Sequence, residues 1–505
     1  MTQRATSVSA MLVALAMLLG RMTGLLRVLG LAAVLGVTHA NDLAILVISV
    51  PDILNAMLVG GALGVVLIPE MHRRSEEVSE QSSSQLIVQT FFAIAVLSSV
   101  LALLLATGGA WFTQLLASGF TPPQIKEAGK LVSIVLIAFP ISAVTAVTSA
   151  VLQGNHKPVI PAYGTLFFNV FLIVVIFLWL VPGQIEILAW AVVAASAFRL
   201  LTQLICCYFV TDLKGAFQSF FRLSSLNRQL MVKYLQALTA IGLVVAFPVV
   251  SRSFASMYEG GISLFEYAQK LVELPRGLIG AVISMVIFPR LSRVFAAGDL
   301  TRGASMVSQI AGLILLITIP AGVAVYVSAE PVVSLLFQRG QFSALDVANT
   351  AKLLQISILS MPALFLSILT MNVFYARHET IIPFKISCIS LACLFLLSLG
   401  LRDLMGISGI MLAFVITSWL HFLGLAISLY VKLDVSVIQG IDLKHYSALV
   451  FLTFSGISIS SMIVNKVSDH VQLFICSVGL GGLCFGAVLL ILKNHLPRFN
   501  GKLSL

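Results

Sequence analysis

Apolar residues recur along this 505-residue chain in long runs that cover almost its whole length. Runs of ~20 residues or more are each long enough to cross ~30 Å of hydrocarbon as an α-helix. They predict helices at roughly 8–36, 42–69, 86–110, 130–152, 159–181, 186–210, 229–257, 264–291, 305–328, 349–375, 381–401, 405–431, 444–465 and 471–493. The expected fold is an all-α polytopic membrane protein of about 14 transmembrane helices. The first run is too long for a signal peptide, has no cleavage-like end and holds two arginines, so it is expected to stay in the mature protein.

Composition agrees: 59% of residues are hydrophobic and 10% charged, with a mean hydropathy of +1.05. Soluble domains do not have this balance. The formal charge of +10 lies in many short loops. Those after even-numbered spans carry Arg73, Arg74, Lys157, Lys214, Arg222, Arg228, Arg293, Arg302, Arg377 and Lys432. Loops after odd-numbered spans carry few basic residues, mixed with Glu127, Asp346, Asp403 and Asp469. The positive-inside rule therefore expects a multi-pass protein with both termini cytoplasmic. Scattered in this way, the charge is not a nucleic-acid surface.

The chain also repeats itself. An offset of 222 residues pairs Phe120 with Phe342, Lys130 with Lys352, Pro140 with Pro362, His156 with His378 and Pro161 with Pro383. Spans 1–6 and 7–12 thus read as two copies of one six-helix unit. Because six is even, both copies share one orientation, a layout found in secondary transporters whose substrate sites lie between repeats. The implied division is an N-lobe over 1–212, a C-lobe over 213–432, and two further spans with a cytoplasmic tail over 433–505.

Charge inside the apolar runs supplies the chemistry. Arg21 and Arg27 fall in the first span, and Arg252 and Lys270 in or beside spans 7 and 8. A cation at bilayer depth costs ~2.5–3.5 kcal/mol on insertion scales, so it is kept only facing protein or a watery cavity. Four of them suggest a site for an anion, with Gly24 leaving room between the first two. Snorkelling toward a surface is the alternative for Arg27, and Glu273 at i+3 is a local partner for Lys270. Asp42 and Asp52 are further acids near the lobe interface, and Glu273 is the best placed to titrate or couple an ion. Pro51, Pro140, Pro248, Pro275, Pro320 and Pro362 lie inside predicted helices and are able to kink them. The six cysteines form no CxxC pair, and no HExxH, GxSxG or P-loop is present, so neither metal chemistry nor an extramembrane enzyme is expected.

With these residues in view, EYAQKLVELPRGLIGAVISMVIFPRLSRVFAAGD (266–299), GRMTGLLRVLGLAAVLG (20–36), IPAGVAVYVSAEPVVSLLFQRGQFSALD (319–346) and FYARHETIIPFKI (374–386) resemble the MurJ/MviN family of lipid II flippases, within the MOP exporter superfamily. The resemblance covers spans 1–12. It implies a flippase rather than an enzyme, moving an undecaprenyl-diphosphate-linked glycan, most simply lipid II, across the bacterial cytoplasmic membrane by alternating access for peptidoglycan synthesis. It implies Arg21, Arg27 and Lys270 at the substrate, with Asp42 and Glu273 as its acids. The residues themselves add Asn55 and Arg252 to the substrate set, Arg252 as a charge the family does not have there and a replacement for the cation lost at Asn55. They also add Asp52 to the cavity or coupling acids, and Gly24, Pro51 and Pro275 as packing or hinge positions. The resemblance implies no cofactor beyond the membrane potential or a monovalent ion, and membrane lipids and cell-wall synthesis machinery as further contacts. Spans 13 and 14 would help hold the lipid tail. Span 2 departs from the family: Asn55 stands where it has arginine and Gly60 where it has an acid. Another lipid-linked oligosaccharide is therefore the alternative substrate. A drug or cation antiporter of the same superfamily fits less well, because such a site needs acids and this one is cationic.

Overall fold

The computed structural model describes residues 3–58, 62–77, 79–210, 243, 245–282, 287–377 and 379–437. Spans 13 and 14, the first part of span 7, Gly60 and His378 lie outside the described residues. In chain order the helices are α1 (Gln3–Leu35), α2 (His39–Leu58), α3 (Ala62–Glu77), α4 (Glu80–Thr107), α5 (Gly109–Leu116), α6 (Pro122–Val135), α7 (Ala138–Gly154), α8 (Val159–Leu178) and α9 (Ile185–Val210). They continue with α10 (Val245–Ala255), α11 (Gly261–Val282), α12 (Phe288–Ala296), α13 (Leu300–Val327), α14 (Ala329–Phe337), α15 (Ala344–Ile358), α16 (Met361–Ala376), α17 (Ile381–Met405) and α18 (Ile407–Leu433). Among the described residues, eight spans are individually long and apolar enough to cross a membrane, and the bent pair α15–α16 makes nine.

The predicted spans and the observed helices differ where proline intervenes. The 130–152 run divides into α6 and α7, and the 349–375 run into α15 and α16, bent by 41°. Pro140 and Pro362 lack the N–H that would bond the carbonyl four residues back, Leu136 and Ile358, and those are the residues at the breaks. Pro51, Pro275 and Pro320 are carried inside uninterrupted helices. The segment between predicted spans 9 and 10 begins with helix α14, which buries Val333 and Phe337.

The duplication is visible in the element boundaries. The 222-residue offset carries Pro122 of α6 to Ala344 of α15, Val159 of α8 to Ile381 of α17, and Ile185 of α9 to Ile407 of α18. It also carries one capping box onto another. Thr121 and Gln124 cap α6 as Ser343 and Asp346 cap α15, each pair satisfying N-terminal N–H groups reciprocally. Phe120 and Phe342, just before these caps, are both buried.

By packing, the chain forms two compact units: Met1–Ser263 with Arg339–Phe342, and Leu264–Gln338 with Ser343–Leu505. The first unit is centred on Leu31, Phe139, Leu152 and Leu172. Large apolar side chains also point outward, among them Leu97, Leu103, Phe177, Trp190 and Phe209. A surface of that kind belongs against lipid. Because lipid offers no hydrophobic drive for helices to associate, close backbone approach matters more. Gly20 and Gly24 provide it where α1 packs on α8: an added Cβ would lie 3.5 Å from Thr165 and from Asn169 respectively.

Candidate functional site

α1 presents Arg21 and Arg27, both half-buried. Nη1 of Arg27 donates to Oδ1 of Asn169 on α8 at 2.8 Å. Nδ2 of the same asparagine donates to the Gly20 carbonyl at 3.0 Å. Asn169 is buried, and the space left by Gly24 is the space its amide occupies. One neutral side chain therefore fixes both the rotation of α1 and the aim of Arg27, through a charge-assisted bond worth about 1.5–3 kcal/mol. Arg21 has no such arrangement: its Nη1 is buried and finds no hydrogen-bond partner among the described residues.

α2 carries Asp42, Pro51, Asp52 and Asn55. Asp42 is 1% exposed, and its Oδ1 accepts from the Ser263 backbone N–H at 2.8 Å and the Ser263 hydroxyl at 2.6 Å. Ser263 stands in the first turn of α11, where backbone N–H groups lack helical partners. Asp42 is itself in the first turn of α2, so one carboxylate serves two helix N-termini, the end of a helix that favours negative charge. Pro51 is buried, Asp52 exposed and Asn55 half-buried, its Oδ1 without a hydrogen-bond partner among the described residues.

Around Asp42 the first unit is sewn together at the loops that follow spans 1, 3, 7 and 9. The Gln341 N–H donates to the Ala33 carbonyl at 2.8 Å. The Ser118 hydroxyl donates to the Ser253 carbonyl at 2.9 Å, and the Gly119 N–H to the Ser256 hydroxyl at 2.9 Å. Gly340 has φ of 61°, and a Cβ on it would lie 2.1 Å from the Ala33 oxygen, so only glycine fits there.

Arg252, on α10, belongs to this first unit and is half-buried. Lys270, Glu273 and Pro275 are on α11 in the second unit. Nζ of Lys270 donates to Oε2 of Glu273 at 3.1 Å, the i+3 partnership expected from the sequence. With the two side chains 21% and 40% exposed, the pair is worth only about 0.2–0.5 kcal/mol and is easily opened. Asn169, Ser263, Arg199 and Gln203 are further polar residues of the first unit that the sequence reading did not single out. Arg199 alone carries a signal, a single cation in the apolar run of α9.

Among the described residues the chain is helical, and its eight or nine membrane-length spans, with element boundaries repeating at 222 residues, make it a polytopic membrane protein; buried guanidinium groups mark it as more than a scaffold. Its fold is similar to that of an inward-facing multidrug resistance MATE family transporter of the MOP superfamily, with a TM-score of 0.67 and 12% identity over 83% of this chain and 98% of that one. The family model "Lipid II flippase MurJ" matches residues 31–477, and the chain belongs to that family of transporters. Probable lipid II flippases MurJ of Rhizobium meliloti and of Buchnera aphidicola subsp. Acyrthosiphon pisum are 27% and 26% identical to it, covering 80% and 84% of this chain and 76% and 84% of theirs. The fold is also similar to a lipid II flippase MurJ in an inward closed conformation, with a TM-score of 0.77 and 20% identity over 96% of this chain and all of that one.

Proposed function

We propose that this chain moves lipid II from the inner to the outer leaflet of the bacterial cytoplasmic membrane by alternating access, supplying peptidoglycan synthesis, with both termini in the cytoplasm. The observation that carries the reading is the buried Nη1 of Arg21 with no hydrogen-bond partner among the described residues. A guanidinium N–H kept dry and unsatisfied costs about 1–3 kcal/mol or more, a cost removed when an anionic oxygen arrives. Guanidinium also matches a diphosphate bidentately, where lysine acts as a point charge. Arg21, Arg27 and Arg252 serve as the first unit's cations for the diphosphate and charged headgroup. Lys270, partly neutralised by Glu273, is the cation of the second unit.

A diphosphate–sugar head does not cross hydrocarbon unaided, because stripping its water is prohibitive. A hydrated cationic cavity lowers that barrier while the lipid tail stays in the membrane. With an inside-negative potential, outward movement of the anion is downhill by ~2.3 kcal/mol per charge per 100 mV. No bound cofactor is needed; the potential or a monovalent ion suffices. In cells depleted of their own flippase, Arg21→Ala and Arg27→Ala variants should reach the membrane yet fail to restore growth, with lipid-linked precursor accumulating in the cytoplasmic leaflet. Full growth of both variants would overturn the reading. Mass spectrometry of the co-purified lipid separates lipid II from another polyprenyl-diphosphate glycan.

A further inference from the structure

Three membrane-length spans of the first unit enclose a cavity of about 130 Å³. Its floor is Val147 and Val151 of α7, and its walls are Ile87, Phe91 and Phe92 of α4 and Leu204 of α9. Both α4 and α9 pack on α7, and the cavity is the cleft they flank. It lies in the first half of α4 and within about the last two turns of α7 and α9. The cleft is thus inside the apolar spans but toward one end of them, the cytoplasmic end on the topology proposed above.

Among the described residues, the lining offers water no partner. Its two residues with polar side-chain atoms turn them to backbone: the Thr148 hydroxyl donates to the Thr145 carbonyl at 2.9 Å, and the Cys207 thiol to the Thr148 carbonyl at 3.7 Å. Such a cavity stays dry, because a buried water needs on the order of two to four polar partners. Left empty, its walls lose dispersion contacts. The mouth decides what fills it. Phe91, Phe92 and Leu204 are half-buried, and Val96, Leu97, Leu201 and Ile205, further along the same two helices, are exposed. Exposed apolar side chains on membrane-length helices lie against lipid, so the cleft opens onto hydrocarbon. A cavity of about 150 Å³ lined by Leu, Ile and Phe takes a molecule the size of benzene, so this one has room for a stretch of chain on the order of six carbons.

We propose that this cleft binds one acyl chain of a membrane phospholipid, a resident ligand that ties α4 to α7 and α9. A polyprenyl tail is the other hydrocarbon at hand. The tail of a transported lipid leaves with its headgroup, however, whereas a cleft at one fixed depth suits a chain that stays. In the bilayer the chain is already out of water, so its binding draws on packing rather than on the hydrophobic effect. The preference for the cleft over the rest of the lipid-facing surface is therefore several-fold, not many powers of ten.

The test uses the purified full chain in phospholipid nanodiscs that contain a trace of phosphatidylglycerol with a photoreactive diazirine midway along one acyl chain. Crosslinks should form on the peptide holding residues 87–92. They should fall several-fold in Leu204→Trp, which sets an indole in the mouth, and in Val88→Phe, which fills the interior, since Val88 also lines the cleft. Crosslinking of Leu103 and Leu104, exposed on α4, should stay constant and shows that the variants are folded. Equal crosslinking of 87–92 in the native protein and both variants means ordinary contact with surrounding lipid and overturns the proposal. So does the absence of crosslinks there in the native protein, the mark of a closed cleft. Undecaprenyl phosphate added to the same bilayers should leave the pattern unchanged; if it abolishes the 87–92 crosslinks, the occupant is a polyprenyl tail and the resident phospholipid falls. In detergent, added phosphatidylglycerol should raise the melting temperature of the native protein more than that of Leu204→Trp, and an equal rise counts against the cleft. None of these measurements involves transport, so their failure leaves the flippase reading standing.

Discussion

Replacing Asp42 by alanine removes a single acceptor that two donors of Ser263 share. The backbone N–H left behind is buried in the first turn of α11 and costs about 1–3 kcal/mol unsatisfied. The hydroxyl loses a charge-assisted bond worth about 1.5–3 kcal/mol. The combined loss, about 2.5–6 kcal/mol, corresponds to roughly two to four powers of ten in the equilibrium between closed and open seam, at 1.4 kcal/mol per tenfold. Ser263→Ala removes only the hydroxyl's bond and should cost roughly one to two powers of ten. Asp42→Asn keeps an acceptor oxygen without its charge and should fall below Asp42→Ala in effect. Amide hydrogen exchange of a peptide spanning 258–266, followed in lipid nanodiscs, reads the opening directly. Protection of this peptide should decrease in the order native, Ser263→Ala, Asp42→Ala. Equal protection in native protein and Asp42→Ala would refute the idea that this carboxylate holds the seam.

Three further outcomes follow from the geometry. Asn169→Leu should weaken the α1–α8 contact by about 1.5–3 kcal/mol, seen as a lower melting temperature in detergent, whereas Asn169→Asp, which still accepts from Arg27, should retain most of it; equal melting of the two variants contradicts the role given to Asn169. Gly340→Ala forces a side chain into a positive-φ position against the Ala33 oxygen and should cost about 1–3 kcal/mol, read as faster exchange of the 339–342 amides. On α3, Arg73 first and then Arg74 bond the charged Glu70 carboxyl and hold it below its ordinary value. That contribution is complete above about pH 4.3, the unfolded value, and is lost only as pH falls through the lower folded one. Exchange in 66–77 should therefore be flat from pH 8 to 5 after correction for intrinsic rates, and a loss of protection within that window would count against the pairing.

How much of this was legible beforehand depends on the kind of signal. Arg21, Arg27 and Lys270 stood out because a charge in an apolar run is expensive and so needs a reason. Arg199 carries the same signal, but the carboxylate of Asp52 acts on it only once α9 packs on α2. The duplication could be read from matching prolines and polar residues, and its strongest expression, the paired capping boxes at Thr121 and Ser343, lies within the same repeated segment. The prolines did mark the two helix breaks, yet nothing local distinguishes Pro140 and Pro362, which interrupt, from Pro51 and Pro275, which do not. Asn169 and Ser263 were not legible at all. Small neutral polar residues are ordinary in membrane helices, and each of these acquires its role from a partner 142 or 221 residues away.

That separation of 142 residues between Arg27 and Asn169 also bears on how the protein is made. α1 leaves the ribosome well before α8, and Arg21 and Arg27 each cost ~2.5–3.5 kcal/mol to place in lipid. The residue that receives Arg27 is synthesised only ~7–30 s later, at ~5–20 residues per second. During that interval the first helix must be sheltered by the insertion machinery or held at the membrane surface. A substitution at Asn169 will therefore act on biogenesis as well as on the finished transporter, lowering the amount of protein that reaches the membrane.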